Sequence, residues 1–337
     1  MEIRRLDPLD AAAMADWHAT YAAAARHGLA YTSPWALEEV RAKLLDQGPG
    51  QRMEGLSGRV DGEHVCAGLT MYTLMDNRDT AFIEVSTRPD RQRAGHGTRM
   101  LAALLDRARE EGRSQVLAEA MTPYDAVPSG EGHPNADFLL HRGFSFGLGN
   151  VMRVLDLPLD EDVLAGLAAE AAPHHTAYTL VQWKDRVPDE LLDQFGDLIG
   201  TLVTEAPMGD IELEREVYDE ARIRADEETM RAAGRTKYCT VAMTADREMV
   251  AYSEIGVPSY DSTRLYQWGT LVRPAHRGHR LGMATKAANL RFIQAEVTGR
   301  ELLVTYNAES NGPMVAVNEA MGFRAVQRLG EYALGPL

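Results

Sequence analysis

The sequence has few cysteines, no long apolar run and no excess of positive charge. Its two cysteines, Cys66 and Cys239, each lie in an apolar run. We therefore expect two buried free thiols in a reducing cytoplasm rather than a disulfide framework. No stretch approaches about 20 uninterrupted apolar residues, and the opening residues contain no run typical of a signal peptide. A cytoplasmic protein without a membrane partner is expected.

Basic residues are fewer than acidic ones: the chain has 35 Lys and Arg against 50 Asp and Glu, and its net charge is −15. A nucleic-acid partner is not expected, because binding to phosphates needs a basic face. No metal is expected either, because the adjacent His174 and His175 point in different directions on any regular element. The net charge leaves a cationic or neutral small-molecule partner open, for a monomer or a homodimer.

An internal repeat organises the 337 residues. The segment VSTRPDRQRAGHGTRML, from Val85, aligns without a gap with TLVRPAHRGHRLGMATK, from Thr270, and each copy later contains a Gly-Phe pair. The chain length suits two domains of roughly 100–200 residues each. The repeat predicts an N-terminal domain over 1–156, a short linker with a proline-bounded helix over 157–176, and a C-terminal domain over 177–337.

Periodicity predicts the same order of elements in both copies. A helix follows each glycine-rich loop and ends at Gly112 or Gly299, and then come a strand, a short helix and a last strand. This order predicts an α/β fold that binds a phosphate at a helix N-terminus. The main predicted strands are 65–75, 81–87 and 115–120 in the first copy, and 238–244, 249–257, 265–272 and 302–306 in the second.

The loop Gln92–Thr98 is the sharpest motif. Glycine lets the backbone approach a phosphate closely, and successive N–H groups at a helix start form an anion-binding nest. Arg93 adds positive charge nearby. A P-loop is excluded because Gly-Lys-Ser/Thr is absent, and a Rossmann fingerprint because its third glycine is absent.

The loop glycines, with Gln92, Gly95 and Gly97 in order, the helix after them and the Gly-Phe pair together resemble the GNAT acyltransferase superfamily. The resemblance occurs twice and covers most of the chain, in a tandem arrangement similar to that of mycothiol synthase. It implies two GNAT-like domains, each a mixed, mostly antiparallel, splayed sheet with helices on both faces. It also implies acetyl-CoA as cosubstrate and direct acetyl transfer to the primary amine of a small molecule.

The resemblance also assigns site residues. Glu84, on the strand before the first loop, is the candidate base, and the alternative is a strand carboxylate that faces solvent or pairs with an arginine. Burial among apolar neighbours is expected to raise its pKa. The implied CoA-binding residues are Val85, Thr87, Gln92, Arg93, Ala94, Gly95, His96, Gly97 and Thr98 in the first copy, and Val272, Arg277, Gly278, His279, Arg280, Leu281, Gly282 and Asn311 in the second.

The two copies depart from the family pattern at different positions. Arg280 replaces the first glycine of the second loop, and Gly269 stands where the first copy has Glu84. The proton-donating tyrosine of the family is replaced by Leu139 and Asn318. Three side chains could substitute for it, although each is more readily explained as structural: Tyr124, His141 and Tyr306.

Three functions remain open at this point. The first is N-acetylation of a small amine, and the second is acetylation of a cysteinyl amine as in mycothiol synthase. The third is a CoA-binding sensor or scaffold without catalysis, which the missing tyrosines suggest. Candidate acceptor-binding segments are Trp17–Tyr31 and the acidic segment Thr204–Arg231. The acidic segment is more simply explained as the solvated face of a helix.

Overall fold

The computed structural model describes residues 1–46 and 48–337, which divide into two compact units. The first unit comprises Met1–Gly149 together with Gln327–Leu337, and the second comprises Asn150–Val326. Over the described ranges, no helix is both long and apolar enough to cross a membrane.

The elements follow the predicted order in both halves of the chain. The first half contains β1 (Glu2–Arg5), α1 (Ala11–Arg26), α2 (Leu37–Leu45), β2 (Gln51–Val60), β3 (Glu63–Thr73), β4 (Thr80–Thr87), α3 (His96–Glu110), β5 (Gln115–Pro123), α4 (Pro134–Leu140) and β6 (Ser145–Asp156). The second half contains α5 (Glu161–Ala171), β7 (Tyr178–Lys184), α6 (Leu192–Ile199), α7 (Leu202–Glu205), α8 (Glu220–Ala232), β8 (Arg235–Thr244), β9 (Met249–Pro258), β10 (Arg264–Val272), α9 (Leu281–Glu296), β11 (Leu302–Ala308), α10 (Gly312–Met321) and β12 (Arg324–Leu334).

Each unit is built on a mixed sheet. The strand order is β1-β2-β3-β4-β5-β12 in the first unit and β6-β11-β10-β9-β8-β7 in the second. β4 and β5 are parallel, as are β10 and β11, whereas the other neighbouring strands within each sheet are antiparallel. The predicted α/β class with a mixed, mostly antiparallel sheet is confirmed.

The last strand of each sheet comes from the other repeat. β12, near the end of the chain, pairs with β5 from Gln327↔Pro123 to Leu334↔Val116. β6 pairs with β11 from Asp156↔Leu302 to Asn150↔Ala308. The compact units are therefore grouped differently from the predicted boundaries at 156 and 177. A strand pattern in the sequence shows that a segment will pair, but it does not show which sheet edge accepts it.

The predicted linker also belongs to a unit. Its helix, α5, buries Leu164 and Ala171 in the same apolar cluster as Leu290 and Ile293 of α9. The segment 157–176 is thus part of the core of the second unit. The prolines that suggested a linker flank a packed helix.

Helices cover both faces of the first sheet. Trp17 and Tyr21 of α1 pack with Ala67 and Leu69 of β3 on one face. On the other face, α3 packs through residues such as Met100 against a cluster that includes the free and buried Cys66. Successive residues of a strand point to opposite faces, so the strand sequence sorts its side chains between these two cores.

The acidic segment of the second unit differs from the expected solvated helix. α7 ends at Glu205 and α8 begins at Glu220, so the acidic residues between 210 and 216 lie in irregular chain. One of them, Glu216, is partly buried, and its backbone N–H donates to the Gly200 carbonyl at 3.0 Å. Charge alone did not indicate helix here, because the segment lacks apolar residues at helical spacing.

Candidate active site

The glycine-rich loop of the first unit presents an open helix start. Arg93 and Gly95 both have left-handed backbone conformations, with φ of +61° and +80°. α3 begins at the next residue, and no side chain caps it. The N–H groups of its first turn therefore stay available, and the positive end of the helix dipole favours an anion there.

A close contact explains why the second glycine of this loop, Gly97, has no side chain. A Cβ at Gly97 would lie 3.1 Å from the ring of Phe138 and 3.2 Å from Oγ1 of Thr87. Arg142, which was not among the predicted residues, stacks on Phe138 with its guanidinium carbon 4.0 Å from the ring centre. Its Nη2 donates to Oγ1 of Thr98 at 2.6 Å. A fixed cation thus lies beside the first turn of α3.

The loop of the second unit has the same backbone conformation with its residues exchanged. Gly278 and Arg280 take the left-handed positions, with φ of +87° and +51°. Arg280 is the residue before α9, as Gly95 is before α3, and no side chain caps α9. A non-glycine residue in this conformation costs about 1 kcal/mol or more. Arg280 therefore preserves the shape of the loop although it replaces a glycine.

The second loop differs in what its side chains contact. Arg280 forms an ion pair with Glu170 of α5, and Nη2 of Arg277 lies 3.0 Å from a carboxylate oxygen of Glu205. Nδ1 of His279 lies 3.1 Å from the carbonyl of His174. In the first unit, by contrast, Arg93 forms no hydrogen bond or ion pair with any residue the structure describes. The second loop is neutralised internally.

In both sheets the two parallel strands separate before they end. In the first unit the last parallel pair is Ile83↔Ala118, although β4 continues to Thr87 and β5 to Pro123. Beyond that pair the two strands separate, as the predicted splayed sheet requires. In the second unit the last pair is Gln267↔Thr305.

Glu84 is the first residue of β4 beyond this point. It lies opposite Leu69, so its side chain is on the α1 face of the sheet. Solvent reaches the carboxylate, yet the protein around it raises its pKa to about 7. The two observations together describe a cleft that is open to water but lined by protein. Within the described ranges Glu84 forms no hydrogen bond or ion pair, so the arginine partner considered as an alternative is absent there.

Glu119 is a site residue that the sequence did not single out. It follows Ala118 on β5, next to Glu84, and its cross-strand partner on β12 is Glu331. Like Glu84 it is reached by solvent, yet desolvation by the surrounding protein, and then the charges of Glu331 and Glu84, raise its pKa to about 8. Its signal in the sequence is a lone carboxylate among the otherwise apolar or small residues Val116–Ala120.

Tyr21 completes the site from α1. It is 3% exposed and stacks on Trp17 with 5.3 Å between ring centres. Its hydroxyl oxygen accepts the backbone N–H of Trp35 at 3.2 Å. Burial and then the charge of Glu84 raise its pKa well above the usual value, so the phenol keeps its proton. The predicted acceptor segment Trp17–Tyr31 thus contributes a side chain near the candidate base.

In the second unit, the position equivalent to Glu84 is Gly269, and the side chain of Tyr252 fills the space beside it. A Cβ at Gly269 would collide with the hydroxyl of Tyr252, which is 2% exposed. No larger side chain can replace this glycine while Tyr252 keeps its position, so the space that Glu84 uses in the first unit is closed.

Four other residues that the sequence analysis named have structural contacts. Leu139 is in the apolar core, and Asn318 accepts from Nζ of the buried Lys286 at 2.7 Å. Asn311 caps α10, with its side chain accepting from Met314 N. Tyr124 is exposed, with Arg328 5.1 Å above its ring.

Comparisons with known proteins agree with this geometry. Residues 16–126 match the acetyltransferase (GNAT) family. A tandem GNAT protein from the clavulanic acid biosynthesis pathway, solved without acetyl-CoA, is 24% identical with a TM-score of 0.81, over 100% of this chain and 98% of that chain. A GCN5-related N-acetyltransferase from Sphaerobacter thermophilus is 13% identical with a TM-score of 0.65, and the match covers 99% of this chain and 95% of that chain. No curated protein matches significantly.

The chain thus carries a match to the GNAT family over residues 16–126. Its family match lies in the first unit, and its whole length has the fold of a tandem GNAT protein. The family transfers acyl groups.

Proposed function

We propose that the protein is an acetyl-CoA-dependent N-acetyltransferase for the primary amine of a small molecule, with the reaction in the first unit. The observation that supports this most strongly is the position of Glu84. It lies where β4 and β5 separate, and the uncapped start of α3 at His96 follows it after the glycine-rich loop. A base and an anion-binding site are thereby brought to adjoining ends of one strand and one helix.

The first loop fits the diphosphate of acetyl-CoA. Residues 92–98 offer backbone N–H groups at a helix start, and Arg93 and Arg142 supply positive charge. Acetyl-CoA itself supplies an activated acetyl thioester.

The chemistry then requires few side chains. The ammonium first gives a proton to Glu84, and the free amine nitrogen then bonds to the acetyl carbon as the carbon–sulfur bond breaks. The second proton that the nitrogen loses passes to solvent. A carboxylate with a pKa of about 7 is partly ionised at neutral pH and accepts a proton readily. Because the cleft is open, Glu84 can return that proton to solvent, and the thiolate can take one from solvent.

Release of free CoA thiol from acetyl-CoA with a panel of primary amines tests the proposal. We expect turnover with at least one amine. Glu84→Gln should lower kcat by about 10²- to 10⁴-fold and leave acetyl-CoA affinity, measured by calorimetry, nearly intact. Glu110→Gln is the matched control, since Glu110 is exposed on α3 and contacts Arg107. No thiol release with any amine, or an unchanged kcat in Glu84→Gln, would contradict the proposal.

The second unit supports a different role. Its loop cations are paired with Glu170 and Glu205, and Tyr252 fills the place of the base. We propose that it transfers no acetyl group and that the chain binds one acetyl-CoA. Titration calorimetry with acetyl-CoA should give one site per chain, and two equivalent sites would refute this part.

A further inference from the structure

Three glutamates lie side by side on one face of the first sheet. Glu84 and Glu119 follow the last parallel pair of β4 and β5, and Glu331 is directly opposite Glu119 on β12. The set faces α1, because Glu84 is opposite Leu69. Neighbouring strands are about 4.8 Å apart. A ligand that touches Glu84 is therefore within reach of Glu119.

The first two of these carboxylates lack a cation within the protein. Neither Glu84 nor Glu119 forms an ion pair or hydrogen bond with any residue in 1–46 or 48–337. Other acidic side chains of the unit do have cationic partners: Glu63 contacts Arg88 at 2.7 Å, and Glu54 contacts Arg107 at 3.0 Å. The charges that act on Glu119 are those of other carboxylates, so a bound cation would relieve their repulsion.

Tyr21 gives independent evidence of a ligand here. Its hydroxyl is buried and accepts a backbone N–H from Trp35, but it donates its own proton to none of the described residues. The ring is held by stacking on Trp17, whose Nε1 donates to the Leu56 carbonyl at 2.9 Å. A buried donor that is fixed and unused normally finds an acceptor, and a bound substrate supplies one.

We propose that the acceptor of this enzyme carries two cationic nitrogens, one that reacts beside Glu84 and one held by Glu119 with Glu331. The substrate class is a short diamine. This inference rests on the proposed function, because it assigns the second nitrogen to the same cleft in which Glu84 takes the proton.

The test compares three acceptors of one chain length with the whole protein and saturating acetyl-CoA: 1,4-diaminobutane, 4-amino-1-butanol and 4-aminobutanoate. We expect kcat/KM to be about 10- to 100-fold higher for the diamine than for the amino alcohol, the range of a charged hydrogen bond. The amino acid should be the poorest of the three, because it brings a further carboxylate to a site that already contains three.

Substitution of Glu119 connects the preference to the site. Glu119→Gln should reduce the ratio of diamine to amino alcohol to near one, whereas Glu110→Gln should leave the ratio as in the unchanged protein. Equal kcat/KM for the diamine and the amino alcohol, or a ratio that survives Glu119→Gln, would overturn the inference.

Binding without turnover separates this inference from the proposed function. Calorimetry with 1,4-diaminobutane and CoA-saturated protein should show binding that Glu119→Gln weakens by about tenfold or more. If the diamine binds in this way but is never acetylated, the diamine site stands and the proposed reaction fails. If amines are acetylated without this binding preference, the reaction stands and the diamine site fails.

Discussion

The two units share a fold and a loop shape but differ in whether their sites are open. In the first unit, Glu84, Glu119 and Arg93 have no protein partner among the described residues. In the second, the loop arginines are ion-paired, and Tyr252 occupies the space of the base. The backbone is preserved in both, since each loop has two left-handed residues in the same places. Fold and loop geometry therefore survive when the polar groups of a site are satisfied internally.

The largest effect is expected for acetyl-CoA binding. Gly95→Glu places a carboxylate at the open helix start and strains a backbone with φ of +80°, so we expect a loss of affinity of about 100-fold or more. Arg280→Glu, the matching change in the second loop, should leave the affinity unchanged. Calorimetric titration measures both, and a loss of binding in Arg280→Glu alone would reverse the comparison.

The pH dependence of turnover sharpens the role of Glu84. Because desolvation by the surrounding protein raises its pKa to about 7, the carboxylate protonates as the pH falls through 7 and can no longer accept a proton. The value of kcat/KM should therefore fall about tenfold per pH unit below 7 and level off above it. In Glu84→Gln the residual rate should lose this limb. A limb that persists in the variant would assign it to another group.

A stability test addresses the closed site of the second unit. Gly269→Ala should lower the free energy of unfolding by about 1–3 kcal/mol, because the new Cβ collides with the Tyr252 hydroxyl. Gly166→Ala is the control: this helical glycine has open space around it, and alanine should stabilise by up to about 1 kcal/mol. Chemical denaturation measures both, and a neutral Gly269→Ala would show that Tyr252 moves aside.

The smallest predicted effect concerns Lys286 of the second unit, where the first unit has an apolar core. Burial lowers the pKa of Lys286 to about 7, whereas in the unfolded chain it is near 10.4. Between these values the unfolded chain holds the proton and the native state does not, so stability rises with pH by about 1 kcal/mol from pH 7 to 8. In calorimetric scans of the whole protein, Lys286→Met should abolish this rise in the free energy of unfolding between pH 7 and 8. The same rise in both proteins would exclude Lys286 as its cause.

The order of elements and the loop were predictable because their signals are local. Apolar periodicity located β4, α3 and α9, and the repeat located both loops without any tertiary information. The strand exchange was not predictable, because β6 and β12 each carry an ordinary strand pattern that fits either sheet edge. The shape of the second loop was not predictable either, because an arginine at position 280 takes up the left-handed backbone conformation that favours glycine.

The sequence by itself determined the fold class, the two copies of the loop and Glu84 as candidate base, since each rests on residues close together in the chain. Only the tertiary structure decided which groups meet in the site. Glu119 and Glu331 are distant in sequence and become neighbours through β5 and β12, and Tyr21 comes from a helix far from either. The tertiary structure also decides that the second site is closed, because it places Tyr252 where a side chain at Gly269 would have to lie. Local periodicity sets the elements, but charge balance and steric fit depend on which elements pack together.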